Sequence, residues 1–163
     1  RAEFDGVALA VGGVSRAAIQ ARAEIIAWLD RHALPCQPLV SPHAIVSQGV
    51  ALGAGAFVAH GVIVNVDARL GRFCVVNTGA IIGHDAAIGD NTTISPAAFI
   101  GGRCAIGADS LVGPLAKVLQ GLKIGERAMI GMGCTVLRTL PDDAAVWPRP
   151  DNPVAAADRR SVD

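Results

Sequence analysis

From Val40 to Val136 every sixth residue is aliphatic: Val40, Val46, Leu52, Val58, Val64, Leu70, Val76, Ile82, Ile88, Ile94, Ile100, Ile106, Val112, Val118, Ile124, Ile130 and Val136. No miss or insertion breaks the series. The residue four places after each is mostly small, as at Ala44, Ala56, Ala68, Cys74, Ala80, Ala86, Cys104 and Cys134. The residue one place after is often Gly, Asn or Ser. A six-residue period matches neither a helix nor a two-residue alternation. It fits short strands joined by tight turns, with an aliphatic filling each strand's interior and a small residue letting the chain round the corner. This is the hexapeptide signature of an all-β fold, the left-handed parallel β-helix, a triangular prism with three hexads to the coil. The repeat predicts such a domain over 38–141, with coils spaced about 4.8 Å apart.

Composition narrows the function classes. Formal charge is zero, with 14 basic and 14 acidic residues. No basic stretch or aromatic-basic interleaving points to nucleic acid. Hydrophobic residues make up 52% of the chain but aromatics only 4%, so the apolar mass is aliphatic and small. No apolar run approaches the roughly 20 residues of a membrane span, and the opening RAEFDG does not read as a secretory leader. Four cysteines with no CxxC pair suggest neither a disulfide scaffold nor zinc. Cys74, Cys104 and Cys134 fall at equivalent repeat positions, which predicts small core fillers. The expected location is the cytoplasm, and the excess of Arg over Lys fits a GC-rich bacterial genome.

Folding the repeat onto a prism gives each face an exterior. One face shows Leu39, Phe57, Val75, Thr93, Leu111 and Met129; the next shows Ile45, Ile63, Ile81, Phe99, Lys117 and Thr135. The third shows Ala51, Arg69, Ala87, Ala105 and Lys123, beside a column of glycines. Two faces are thus apolar outside as well as inside, which marks interfaces. Two such faces meeting at one edge suit a closed ring, and a homotrimer is expected.

Residues 1–37 do not follow the repeat. Val7–Val11 reads as a buried strand, Gly12-Gly13 as a turn, and Ser15 as the N-cap of a helix running to about His32. This order looks like the C-terminal portion of a small α/β domain whose start lies upstream; the chain also lacks an initiator Met. Residues 142–163 carry prolines and charges and read as a tail.

Few side chains are free to do chemistry. His32 ends the helix, His43 sits beside Pro42, and His60 lies at the corner between the two apolar faces; all three read as structural. His84 lies at the corner between the second apolar face and the small, charged one, at the mouth of the groove where two subunits would meet. The repeat accounts for Ile82, Gly83, Ala86, Ile88 and Gly89 but does not call for His84 or Asp85. Asp85 can orient the imidazole and keep it basic. One coil further on, Gly102 in Gly101-Gly102 stacks in register with His84, and its N–H could serve an oxyanion. Asn77 and Thr78 offer polar groups from the preceding hexad. A base, an exposed amide and a groove describe acyl transfer. His60 and His84 are on different corners with no third partner, so no metal site is expected.

The segments FDGVALAVGG, LVSPHAIVS and VVNTGAIIGHDAAIGDNTTIS resemble the hexapeptide-repeat bacterial sugar acetyltransferases, the group of sialic acid O-acetyltransferase-like proteins and of UDP-bacillosamine-precursor and GDP-perosamine N-acetyltransferases. NTGAIIGHD is the most specific part. The resemblance implies an N-terminal sugar-nucleotide domain (its remnant being 1–37), a β-helix trimer and acetyl-CoA lying between subunits. It implies His84 as catalytic base supported by Asp85, the Gly102 amide at the thioester carbonyl, and Asn77 by the sugar; Thr78 beside it is a further candidate for substrate binding. Gly101, Gly102 and Met132 are the candidate contacts for acetyl-CoA. Thr93 stands where some members carry a second histidine, and Trp147-Pro148-Arg149-Pro150 replaces their usual Gly-Val-Pro-Ala. The implied reaction is transfer of acetyl to the amino group of a nucleotide-linked sugar. The alternatives are O-acetylation of a sugar such as sialic acid, and a catalytically silent scaffold.

Overall fold

The computed structural model describes residues 6–148. Leu39–Val40, Ile45–Val46 and Ala51–Leu52 open three separate sheets. Leu39 then pairs in parallel with Phe57, Ile45 with Ile63 and Ala51 with Arg69, so three hexads make one coil. Repeating this builds faces of seven, six and five strands, the left-handed parallel β-helix that the period demands. The interior is a column of fully buried aliphatics, among them Val58, Val64, Val76, Ile82 and Ile94, with Ala56, Cys74, Ala80 and Ala86 filling the corners. The strands follow the hexad reading residue for residue.

The corners reveal a second regularity. From Gly49 to Gly133 every sixth residue has positive φ, whether glycine or, as at Asp67, Phe73, Asp85, Asn91, Ala97, Arg103, Asp109, Leu115 and Arg127, a residue with a side chain. Left-handed φ reverses the chain in few residues and favours Gly, Asn and Asp. The repeat therefore does account for an acidic residue at position 85, contrary to the sequence reading. It still does not account for His84.

Outside the solenoid, α1 spans Arg16–Arg31, with Ser15 as N-cap and His32 as C-cap, as the capping residues predict. The Ser15 hydroxyl accepts from the Ala18 N–H at 3.2 Å. The helix lies along the corner between the third and first faces, antiparallel to the stacking direction. Arg16 meets Asp143 in the last coil and Asp30 meets Arg72 four coils earlier. Fourteen residues of helix rise about 21 Å, close to the roughly 19 Å of four coil spacings. Ile19 packs on Leu111 and Met129, and Thr93 is buried as well. The upper half of the first face is thus covered by the chain's own helix. Of the two apolar exteriors expected to face a neighbour, only the second is left open along its length, with Ile45 63% and Phe99 43% exposed.

Two further expectations are corrected. Val7–Val11 forms no strand: the Val7 N–H donates to the Pro35 carbonyl, and no neighbouring strand among the described residues pairs with the segment. The solenoid also continues past 141. Ala145–Val146 pairs with Met129–Ile130. This last coil is short, because Met129 meets Ala145 where the regular spacing would bring Trp147. Arg149, Pro150 and the remaining tail lie outside the described residues. No helix among the described residues is long and apolar enough to cross a membrane.

The entry segment is clamped by a buried cation. Arg22 is 1% exposed. Its guanidinium donates to the Val11 carbonyl, to the Phe73 carbonyl at 2.6 Å and to Asn91 Oδ1 at 2.9 Å. Asn91 Nδ2 in turn donates to the Ile19 carbonyl and to Asp109 Oδ1. Burial lowers the Arg22 pKa, because desolvation penalises the charge. Asn91→Ala should therefore cost about 2–3 kcal/mol in stability, since it leaves a buried charged donor short of an acceptor; chemical denaturation reads it. Burial likewise pushes the Cys74 thiol up to about 12. Of the four free cysteines only Cys36 is partly exposed. An alkylating reagent near pH 8 should label Cys36 alone in the folded protein and all four after unfolding, which mass spectrometry resolves.

Candidate active site

His84 and Asp85 occupy the corner between the second and third faces, in the turn joining Ile81–Ile82 to Ala87–Ile88. Asp85 is the left-handed residue of that turn, with φ 56°. Its N–H donates to the Val66 carbonyl at 3.0 Å. This conformation brings the carboxylate back beside the preceding side chain, and His84 Nδ1 lies 2.7 Å from Asp85 Oδ2. An ionised carboxylate only accepts, so in the neutral imidazole Nδ1 carries the proton and Nε2 keeps the lone pair. Both side chains are about half exposed. The pair is therefore oriented and reachable at once.

Gly102 sits against the same ring. A Cβ added there would lie 2.5 Å from His84 Nε2, 2.7 Å from Cδ2 and 2.9 Å from Cε1. Only glycine leaves the imidazole where it is, and so the backbone of the next coil comes up against the free nitrogen. The Gly102 N–H donates to no acceptor among the described residues, while the neighbouring Gly101 N–H is spent on the Val118 carbonyl. A lone pair and an unused amide donor thus stand on adjacent coils of one corner.

The other candidate positions are elsewhere. Asn77 and Thr78 lie at the corner between the first and second faces, in the turn before Ile81–Ile82. One hexad carries the chain one corner round the prism, so a single chain does not bring them to His84. Asn77 instead closes an apolar groove between the entry segment Ala8–Gly12 and Phe57 and Val75. Met132 is on that first corner too, 62% exposed, beside Val14, Leu111 and Trp147. Its corner is not that of Gly101 and Gly102. His43 and His60 pack edge to face at the first corner, with ring centroids 5.0 Å apart. His32 stacks on Trp28 and bonds its carbonyl, a helix-end role. The Arg22–Asn91 clamp that walls the groove was missed from sequence. Its only signal was Asn91, standing at a left-handed corner position.

No protein-family model and no curated protein sequence matches the chain. Solved structures do. A mutant of perosamine N-acetyltransferase from Caulobacter crescentus, in complex with CoA and GDP-perosamine, is 30% identical with a TM-score of 0.78, over 81% of this chain and 63% of that one. The acetyltransferase domain of PglB from Neisseria gonorrhoeae, in complex with acetyl coenzyme A, is 26% identical with a TM-score of 0.77, over 81% and 64%. WeeI from Acinetobacter baumannii, at 24% identity over 81% and 65% with a TM-score of 0.76, shares the fold. The class is thus the hexapeptide-repeat β-helix proteins. Within it the perosamine N-acetyltransferase and the PglB acetyltransferase domain are acetyltransferases, in keeping with the group that the sequence resembles. The chain spans about 63–65% of the length of these neighbours. No group of three or more His, Cys, Asp or Glu side chains among the described residues could hold a metal.

Gly102→Ala should push the imidazole off its seat while leaving the solenoid folded, since the atoms it meets belong to the end of a side chain. The His84 ring resonances in NMR report this; unchanged shifts at residue 84 would show that the ring does not rest on Gly102.

Proposed function

We propose that the chain transfers acetyl from acetyl-CoA to the amino group of a nucleotide-linked amino sugar. The observation carrying this reading is the His84 Nδ1–Asp85 contact at 2.7 Å, which leaves Nε2 as a base over the Gly102 Cα, whose N–H is unused among the described residues. In the proposed step, the amine nitrogen forms a bond to the thioester carbonyl carbon as Nε2 takes its proton. The Gly102 N–H stabilises the negative charge that develops on the carbonyl oxygen. The C–S bond then breaks, and the proton held on Nε2 passes to the departing thiolate. Asp85 holds the imidazole's orientation and supports its positive charge meanwhile.

The acceptor and the base come from different subunits in this reading. The entry segment Ala8–Gly12 and the groove it walls hold the sugar nucleotide, with Asn77 at the groove's end and Thr78 beside it, towards the sugar. In a homotrimer built around the first corner, the open second face of one subunit, with Ile45 and Phe99, packs towards the first face and entry segment of the next. That arrangement turns His84 of one subunit to the groove of its neighbour. The role of Met132 in holding the donor rests on the same packing. A cytoplasmic location is supported by the four free thiols, which suit a reducing compartment; a place in bacterial glycan biosynthesis rests on the proposed reaction alone.

His84→Ala should lower kcat by about 10² to 10⁴, measured as thiol release from acetyl-CoA with amino-sugar nucleotides. A loss below about tenfold would make His84 structural. Light scattering should give three times the mass of the chain; a monomer would sink the two-subunit site.

A further inference from the structure

Of the four histidines, two take no part in the site at His84 or in ending the helix. His43 sits in the turn between Leu39–Val40 and Ile45–Val46, and His60 in the turn between Phe57–Val58 and Ile63–Val64. Both turns belong to the first corner, one coil apart, so the solenoid fixes the two backbones about 4.8 Å from each other. The ring centroids are 5.0 Å apart, with 61° between the planes. His32 and His84 each commit Nδ1 to an oxygen. The ring nitrogens of His43 and His60 have no hydrogen-bond partner among the described residues, and both side chains are exposed. Their surroundings lack charge and bulk. Residues 41–44, 59–62 and 77–80, the first three turns of this corner, contain no carboxylate and no Lys or Arg. A Cβ added at Gly61 would meet only the Gly79 backbone, at 3.8 Å and beyond, and one at Gly79 would meet nothing within 4 Å. The corner above His43 is therefore open.

We propose that His43 and His60 chelate a divalent first-row transition-metal ion of the zinc or nickel class. Imidazole is a ligand that these ions prefer, whereas magnesium and calcium seek oxygen. The spacing fits. Two imidazoles bound to one ion at about 2.0–2.1 Å, with each ring centre roughly 1.1 Å further out, stand about 4.5 Å apart at a right angle and about 5.2 Å apart at a tetrahedral one. The observed 5.0 Å falls between these limits. No hydrogen bond holds either ring, so each can turn a nitrogen to the ion at little cost. Fixed backbones make capture by the second imidazole intramolecular, which lifts the pair above the affinity of a single exposed ligand. No third His, Cys, Asp or Glu joins them among the described residues. Water, or the same pair on a second subunit of the proposed trimer, fills the remaining positions. The chelate itself needs one chain only. It stands one corner from His84 and takes no part in acetyl transfer.

The test titrates ZnCl2, NiCl2 and MgCl2 calorimetrically into the full chain and into the variants His43→Gln, His60→Gln, His84→Gln and Cys36→Ser. The wild type should bind zinc and nickel and leave magnesium free. His43→Gln and His60→Gln should each weaken zinc and nickel binding by at least about tenfold, while His84→Gln and Cys36→Ser should not change it. Zinc should also raise the melting temperature of the wild type and not that of His43→Gln. Zinc and nickel binding that survives either His43→Gln or His60→Gln overturns the chelate. Binding lost through His84→Gln or Cys36→Ser instead places the ion elsewhere and overturns it as well. A wild type that binds neither zinc nor nickel does the same, and leaves the acetyl-CoA reading standing.

Discussion

One backbone constraint organises this molecule: a left-handed residue at every sixth position from Gly49 to Gly133. It lets the chain turn a corner within a few residues, which keeps strands two residues long and makes the coil close on itself. Once the corner is fixed, the rest follows in order. The aliphatic of each hexad must point inwards, the residue beside it outwards, and side chains one coil apart must stack. The contact between His84 and Gly102 is an outcome of that stacking. So is the reach of Asp85 back to His84, because its φ of 56° folds the carboxylate towards its neighbour.

The solenoid was legible because its information is local and repeated. Strand positions, face exteriors and the buried cysteines could all be assigned from a period, since each hexad reports the same environment. The helix and both its caps were legible for the same reason: Ser15 and His32 act within one turn. What failed was non-local. Val7–Val11 has the composition of a buried strand, but pairing needs a neighbour, and composition does not supply one. The covering of the first face by Ile19 depends on where a helix docks, which no residue in the repeat announces. The short last coil likewise lacks a local marker, so Pro141 read as an end.

The site was legible in part. Position 84 stood out as a departure from the repeat, and the imidazole does meet the neighbouring carboxylate. Asp85 was over-read, because an acidic residue is what the left-handed corner favours; Asp67 and Asp109 occupy the same place without a histidine before them. The weight of the inference therefore falls on His84 and on Gly102, where a side chain would collide with the ring. Asn77 and Met132 belong to another corner of the same chain, and any meeting with His84 is a property of assembly.

Solenoids of this kind are held mainly by nearest-neighbour contacts, so they tend to come apart coil by coil from whichever end is less well tied. Here α1 is a splint laid across five coils, fastened at Asp143, at Asn91 and at Arg72. The opening coils have no such brace, and Val40 and Val46 in their interior remain 41% and 37% exposed. Fraying should thus start at the end where the chain enters the prism. The His84 corner lies within the splinted stretch and keeps its shape while that end opens and closes.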